Sequence, residues 1–311
     1  MMEIKMKNEI NTNQINKSSF KVMLADIKSL TKGIVLYANV LPSLAGFWLA
    51  LYFTGQSFAG NWDTFLLMIV GSTFVIAGAL MFNNWYEVDL DREMDRTQKR
   101  PTVTGNFSLK TVLTLAISTT IIGLIIMLFT TIEATIYAFL GWFTYVVLYT
   151  FWSKRKYTLN TVVGSISGAF TPLIGWAAID SAFHIIPVAL FLILFIWQIP
   201  HTFSIAMRRV EEYRAAGVPM LPVAYGFEIT KRQTVIYIIS LMPIPFFMIA
   251  LGPTFVIVAT LLNLGWMVIG LRGFFMKDDI RWANLIFFYS LTYLFILFGL
   301  MMVVTLPVFH P

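Results

Sequence analysis

The sequence predicts an all-α fold, a polytopic membrane bundle of nine transmembrane helices, and three observations lead there. Of the 311 residues 58% are hydrophobic and only 12% charged, against about 25% charged in soluble domains, and the mean hydropathy is +0.76. Nine apolar stretches are each long enough to cross a hydrocarbon layer of ~30 Å as a helix. All 22 Lys and Arg residues fall in the tail and in alternate connections, on one side of the layer. A missed or extra span would break that alternation, so the distribution supports the count of nine and gives the sidedness.

Residues 1–32 are polar and basic, with Lys5, Lys7, Lys17, Lys21, Lys28 and Lys32. No apolar core follows within signal-peptide distance, so this stretch reads as a cytoplasmic tail with a short interfacial segment in "SFKVMLADIKSL". The spans are expected at 34–53, 62–84, 111–129, 132–151, 161–180, 185–206, 233–251, 253–271 and 283–305. They make one domain over 33–306, followed by a short outer tail at 307–311. Within the bilayer the backbone must satisfy its own hydrogen bonds, which dictates helices. The 85–110 loop carries five basic residues, the 152–160 loop three, the 207–232 loop five and the 272–282 loop three; the other connections carry none. The N-terminus is therefore expected in the cytoplasm and the C-terminus outside, in the cell (inner) membrane.

Composition also excludes chemistry. There are no cysteines, which removes disulfides and thiolate ligands, and three histidines, His184, His201 and His310, leave little for a His-based metal site. The net charge of +6 reports topology in a membrane chain rather than a nucleic-acid partner.

Two inner loops, 85–110 and 207–232, are long and charged, the kind of connection that carries function. The first opens with "NNWYEVDLDREMDR", at the inner end of the second span. At ~100° per residue, Asn84, Glu87, Asp91 and Asp95 fall on one stripe, with Asn83 at its edge and Asp89 opposite. Like charges one turn apart repel unless something positive offsets them. Arg92, Arg96, Lys99 and Arg100 offer one offset, as ion pairs on a solvated helix end. A divalent metal offers the other: Mg²⁺ takes carboxylate oxygens together with substrate phosphates, and neighbouring Arg and Lys grip the remaining phosphate oxygens. "PTVTG", Pro101–Gly105, reads as a turn. The second loop, "WQIPHTFSIAMRRVEEYRAAGVPMLPVAYG", supplies Glu211 and Glu212, with Arg208 four residues before Glu212 at ion-pair spacing. His201 is an ionisable residue inside an otherwise apolar span, on the same membrane side as both acidic clusters, which marks it for function.

The first stretch resembles the signature of the UbiA-type intramembrane prenyltransferase superfamily, N-(D/N)-x-x-D-x-x-x-D followed by R-T-x-x-R-P. Asn83, Asn84, Glu87 and Asp91 match it, with Arg96, Thr97, Arg100 and Pro101 after. Asn84 and Glu87 stand where many members carry Asp. The second loop is similar to the W-Q-x-P-H-F…(D/E)-(D/E)-Y-(K/R)-x-A-G-(I/V)-P-M-L-P block of the heme-farnesylating branch, and lacks the Asp-rich motif of the quinone branch. The resemblance spans nearly the whole chain beyond the first 30 residues.

The resemblance implies a cytoplasm-facing active-site cavity and a reaction in which farnesyl diphosphate, heme b and water give heme O and diphosphate. Mg²⁺ is the implied cofactor, membrane lipid the surroundings, and a heme A-forming enzyme acting next a further partner. Asn83, Asn84, Glu87 and Asp91 would then hold one Mg²⁺, and Glu211 and Glu212 a second or its waters. Arg96, Arg100 and Arg208 would contact the diphosphate, and His201 would position the heme or the attacking water, with Tyr213 and Arg214 beside it. The competing readings are a quinone-type prenyltransferase, which product analysis separates, and a transporter, which would place ionisable residues near the midplane of its helices. A purely structural subunit leaves the ordered carboxylates without a purpose.

Overall fold

The computed structural model describes residues 21–306. The first 20 residues of the expected tail, the outer tail at 307–311 and His310 lie outside the described residues. Residues 21–30 are helical. They lead into α1 (Gly33–Thr54), α2 (Trp62–Tyr86), α3 (Leu109–Leu128), α4 (Ile132–Phe143), α5 (Asn160–Ala169), α6 (Thr171–Ala177), α7 (Ile185–Arg208), α8 (Leu221–Ser240), α9 (Pro253–Arg272) and α10 (Asp279–Val304). No strand occurs among the described residues.

Local chemistry sets the ends of these helices. Ser108, Thr131 and Asp278 each accept a hydrogen bond from the backbone N–H three residues on, satisfying a donor that the first turn leaves free. Gly55, at φ 67°, closes α1 in the left-handed conformation that glycine adopts without strain. Counted as crossings, α5 and α6 form one rod, broken where Thr171 and Pro172 start a new helix. Seven helices of the described residues are continuous and apolar enough to cross a membrane: α1, α2, α3, α4 with its continuation to Ser153, α7, α9 and α10. The split rod α5–α6 and α8 occupy the fifth and seventh places.

The seventh element departs from the expected 233–251. Helix α8 begins at Leu221 and kinks at Gly226 (φ 76°, ψ 179°). It stops at Ser240, after which Pro243 and Pro245 break the chain into short turns. The basic residues up to Lys231 and Arg232 place this region in the expected 207–232 loop on charge alone. In the structure the Lys231 ammonium is buried and pairs with Asp279 at 2.5 Å and Glu228 at 3.4 Å, so the charge is neutralised within the helix packing.

Small residues allow close crossings where apolar burial alone gives little drive in lipid. Helix α1 packs on α6, and a Cβ on Gly175 would lie 1.8 Å from the Ser43 carbonyl oxygen, one on Gly46 2.0 Å from that of Pro172. Helix α2 packs along α3 in the same way, a Cβ on Gly123 meeting the Val75 backbone nitrogen at 2.7 Å. Helix α7 packs against α5, α8 and α10. Beyond α4 the chain continues through Thr144–Ser153 in π-type turns, with Lys154 N–H donating to the Tyr149 carbonyl at 2.9 Å. This widened turn, often found at functional sites, ends at Lys154.

Candidate active site

Helix α2 ends at Tyr86, and the chain turns at Glu87 (φ −100°, ψ 18°) into a short helix, Val88–Glu93. Helical hydrogen bonds continue across the join, from Glu87 N–H to the Asn83 carbonyl (3.0 Å) and from Asp91 N–H to the Glu87 carbonyl (2.8 Å). The stripe Asn83, Asn84, Glu87, Asp91 therefore survives, and all four side chains are buried. Asp95 does not belong to it. The short helix ends at Glu93, Met94 is extended, and Asp95 is exposed. Asp89 faces outward, as its phase predicts, and pairs with Arg155 through both oxygens at 2.7 Å.

Each buried carboxylate meets a cation. Arg100 donates to Asp91 at 2.5 Å and Lys154 to Glu87 at 2.5 Å. Lys32 donates to the Asn83 amide oxygen, whose nitrogen donates to Thr150 at 3.1 Å. The sequence reading passed over Lys32 and Lys154, counting them only as markers of sidedness. A lysine bordering an apolar span is common, and nothing in the local sequence ties either residue to a stripe 51 or 67 positions away. Lys32 is the one non-glycine residue at positive φ among the described residues (φ 46°, ψ 52°), a conformation that costs about 1–2 kcal/mol. Its strained backbone turns the ammonium onto the stripe.

Three basic side chains, Lys32, Arg100 and Lys154, thus stand at a stripe that carries two carboxylates, Glu87 and Asp91. Burial would push the Glu87 carboxyl up, but Lys154, then Lys32 and Arg100, outweigh it and hold it below the usual glutamate range. For Lys154, burial opposes the charge and Glu87 more than restores it, so the net shift is upward. Lys32 has no such partner: burial and then Arg100 hold its ammonium well below the usual lysine range. The protonated form is the one that grips an anion, so affinity for a diphosphate is full below that depressed value and falls as pH rises through it. Lys32→Arg, with a guanidinium that stays charged, is expected to abolish this loss, read from KM for the prenyl diphosphate over the pH range in which the wild type loses affinity.

The fit of the stripe to a hard cation shows in its unused oxygens. Asn84 donates through its amide nitrogen to the Leu30 carbonyl at 2.6 Å, which fixes the flip of the amide and leaves Oδ1 buried without a partner. Glu87 Oε1 is likewise buried without one. A buried acceptor left unmet costs about 1–3 kcal/mol, and two of them one helical turn apart are the oxygen donors that Mg²⁺ takes. Among the described residues no three Asp, Glu or His side chains converge as a ready-made metal cluster.

The second loop joins the first without completing such a cluster. Its short helix, Val210–Ala215, packs on Val88–Glu93 through Leu90, Met94, Tyr213, Val218 and Met220. Glu212 lies at the junction, bonded to Arg209 at 2.6 Å and 4.0 Å from Arg96 of the first loop; its other oxygen, Oε2, lacks a hydrogen bond. The expected Arg208–Glu212 pair does not form, because Arg208 lies over the Phe287 ring instead, 4.5 Å from its centroid. Glu211 is exposed and paired with Arg214, and neither has a bond to the stripe among the described residues. Tyr213 is buried between the two loops. His201 is turned toward α10, where its Nδ1 meets Ser290 Oγ at 2.7 Å.

Below the stripe a cavity of about 230 Å³ runs into the bundle between α1, α2, the α4 rod, α5–α6 and α7. Its walls are mainly apolar, among them Val35, Ile76, Leu80, Trp142 and Ile174, with Gln198 and Thr202 from α7. Tyr145 and Tyr149 line its upper wall, and the Lys154 ammonium sits 5.5 Å from the Tyr149 ring centroid. Part-buried cations and hard oxygen donors, just beyond the α2 residues that line an apolar cavity, suit a molecule with an anionic head and a hydrocarbon tail.

Comparison with known proteins agrees. The model of the UbiA prenyltransferase family matches residues 39–292, and the chain belongs to that family. It is a prenyltransferase and a multi-pass membrane protein. A protein named protoheme IX farnesyltransferase from Oceanobacillus iheyensis is 55% identical over 300 residues, which cover 96% of each chain. One of the same name from Geobacillus thermodenitrificans is 49% identical over 98% of this chain and 100% of its own. Among solved structures, a digeranylgeranylglyceryl phosphate synthase superposes with a TM-score of 0.72 at 19% identity, covering 91% of this chain and 98% of its own. A UbiA homolog from Archaeoglobus fulgidus, bound to GPP and Mg²⁺, gives 0.66 at 15%, covering 86% and 99%. At these identities the two structures establish the fold.

Proposed function

We propose that the protein transfers a farnesyl group from farnesyl diphosphate to a vinyl group of heme b, with addition of water, giving heme O. One observation carries the donor half: unpartnered Asn84 and Glu87 oxygens, on a stripe that also bonds Lys32, Arg100 and Lys154, follow within two turns of Leu80, which lines an apolar cavity. The acceptor half is supported by the second-loop block and by the names of relatives at 49–55% identity.

In this reading Asn84, Glu87 and Asp91 hold Mg²⁺ with Asn83 beside them, and Glu212 orients its waters from across the loop junction. Mg²⁺, when bound, would supply charge neutralisation on the diphosphate; the Archaeoglobus homolog is described with GPP and Mg²⁺ bound. Lys32, Arg100 and Lys154 grip phosphate oxygens and stabilise the charge that develops as the allylic bond breaks. Arg96 stands at the rim beside Glu212. The apolar walls keep bulk water from the allylic cation until the vinyl carbon has attacked. Glu211 and Arg214, exposed and paired with each other, serve at most the rim. In this reading the head faces the cytoplasm at the cell membrane, which the one-sided basic connections support, and a heme A-forming enzyme would take up the product next.

The test is product analysis. Purified protein incubated with heme b, farnesyl diphosphate and Mg²⁺ is expected to yield a porphyrin heavier by one farnesyl group and one hydroxyl, the water's other proton being released with diphosphate. A prenylated aromatic ring from a quinone precursor, with heme b unchanged, would overturn the acceptor assignment.

A further inference from the structure

The hydrogen bonds around His201 determine which of its nitrogens is free. Ser290 Oγ donates to the Phe287 carbonyl at 2.6 Å. A serine hydroxyl has one proton, so at its 2.7 Å contact with His201 Nδ1 the serine must accept and the imidazole must donate. The neutral ring is then the Nδ1–H tautomer, and Nε2 carries an unshared pair. Nε2 has no hydrogen-bond partner among the described residues. Both faces of the ring are covered, by Trp197 at 4.8 Å and Phe287 at 5.1 Å between centroids, and Trp197 is itself pinned by its Nε1–H to the Ser290 carbonyl at 2.8 Å. Only the Nε2 edge is left to meet a ligand. Seven residues on, about two turns and ~10 Å along the same face of α7, the exposed Arg208 guanidinium rests on Phe287. On the same helix Gln198 and Thr202 line the cavity.

A nitrogen lone pair held at bilayer depth, with a cation two turns toward the inner surface, suits a flat metal chelate that is apolar at its centre and carries carboxylates at one edge. We propose that Ser290 and His201 form the docking point of the acceptor. His201 Nε2 ligates the metal of an iron porphyrin, Ser290 fixes the tautomer that permits it, and Arg208 pairs with an edge carboxylate. The proposal rests on the heme-acceptor reading above and adds how that acceptor is held. Fixing the second nitrogen's hydrogen bond is the usual means by which proteins orient a metal-binding histidine.

The experiment titrates the full chain, in detergent and without prenyl diphosphate, with ferric protoporphyrin IX, following the Soret band. Metal-free protoporphyrin IX, followed by its fluorescence, serves as the second probe. Wild type is expected to bind the iron porphyrin saturably with the spectrum of histidine ligation. His201→Ala loses that spectrum and at least tenfold in affinity, while binding of the metal-free macrocycle is unchanged. Added imidazole restores the spectrum to His201→Ala. Ser290→Ala weakens iron-porphyrin binding severalfold and Ser290→Thr restores it, whereas Arg208→Met weakens both porphyrins alike. Unchanged binding of farnesyl diphosphate to the His201 and Ser290 variants, and an unchanged thermal transition in detergent for Arg208→Met, show that each variant is folded. If His201→Ala keeps the wild-type Soret spectrum and affinity while wild type still farnesylates heme, this docking point is wrong and the acceptor reading stands. If wild type neither binds nor farnesylates heme, both fall.

Discussion

Replacing Asp91 with Asn is expected to abolish prenyl transfer, lowering kcat/KM by about 10²–10³-fold, while the protein still inserts and folds. The Asp91 carboxylate is 3% exposed and bonded to Arg100 at 2.5 Å, and Asn has its size and shape but no charge. The loss acts twice: one anionic oxygen fewer faces the metal, and Arg100 is released from the geometry in which it meets the phosphates. Backbone contacts hold the segment in either case, since the Thr97 hydroxyl donates to the Asp91 carbonyl at 2.9 Å. Turnover assays in membranes, normalised to inserted protein, check this. Near-normal activity in Asp91→Asn would remove the residue from the account.

The second large effect lies at Lys154. Lys154→Met strands the Glu87 carboxylate in a buried position, where an unpaired charge costs about 3–5 kcal/mol, so the yield of folded protein and its thermal stability in detergent should both fall. Glu87→Gln combined with Lys154→Met removes both charges and is expected to recover most of that stability. It should not recover transfer, because the cation that grips the diphosphate and the oxygen that meets the metal are both gone. Were the double variant to regain activity with its stability, Glu87–Lys154 would be a structural pair only.

Much of this site was legible from spacing. The phase of Asn83, Asn84, Glu87 and Asp91 holds in the structure because a helical hydrogen bond bridges the turn at Glu87, and long apolar stretches such as α2 and α10 lie where apolarity places them. Two kinds of information were not local. The start of α8 was hidden because Lys231 is neutralised by Asp279, 48 residues away in the sequence. Lys32 and Lys154 were hidden because they come from the flanks of other helices and become site residues only when α1 and the α4 rod pack on α2. The direction of His201 depends on Ser290 of α10, which no spacing along α7 reveals. Pairing in the second loop was misread for a related reason: Arg208 had an aromatic partner on another helix, which left Glu212 to Arg209 and Arg96.

The most direct test of the central claim, that the buried oxygens of α2 and its continuation hold a metal against a diphosphate, is the Mg²⁺ dependence of donor binding. Farnesyl thiodiphosphate, a slow-reacting donor, is titrated calorimetrically into wild type and Asn84→Ala with and without Mg²⁺. Mg²⁺ is expected to tighten binding to wild type at least tenfold and to have little effect on Asn84→Ala, while binding without the metal stays similar in the two. Equal Mg²⁺ enhancement in both proteins, or none in wild type, would contradict the account.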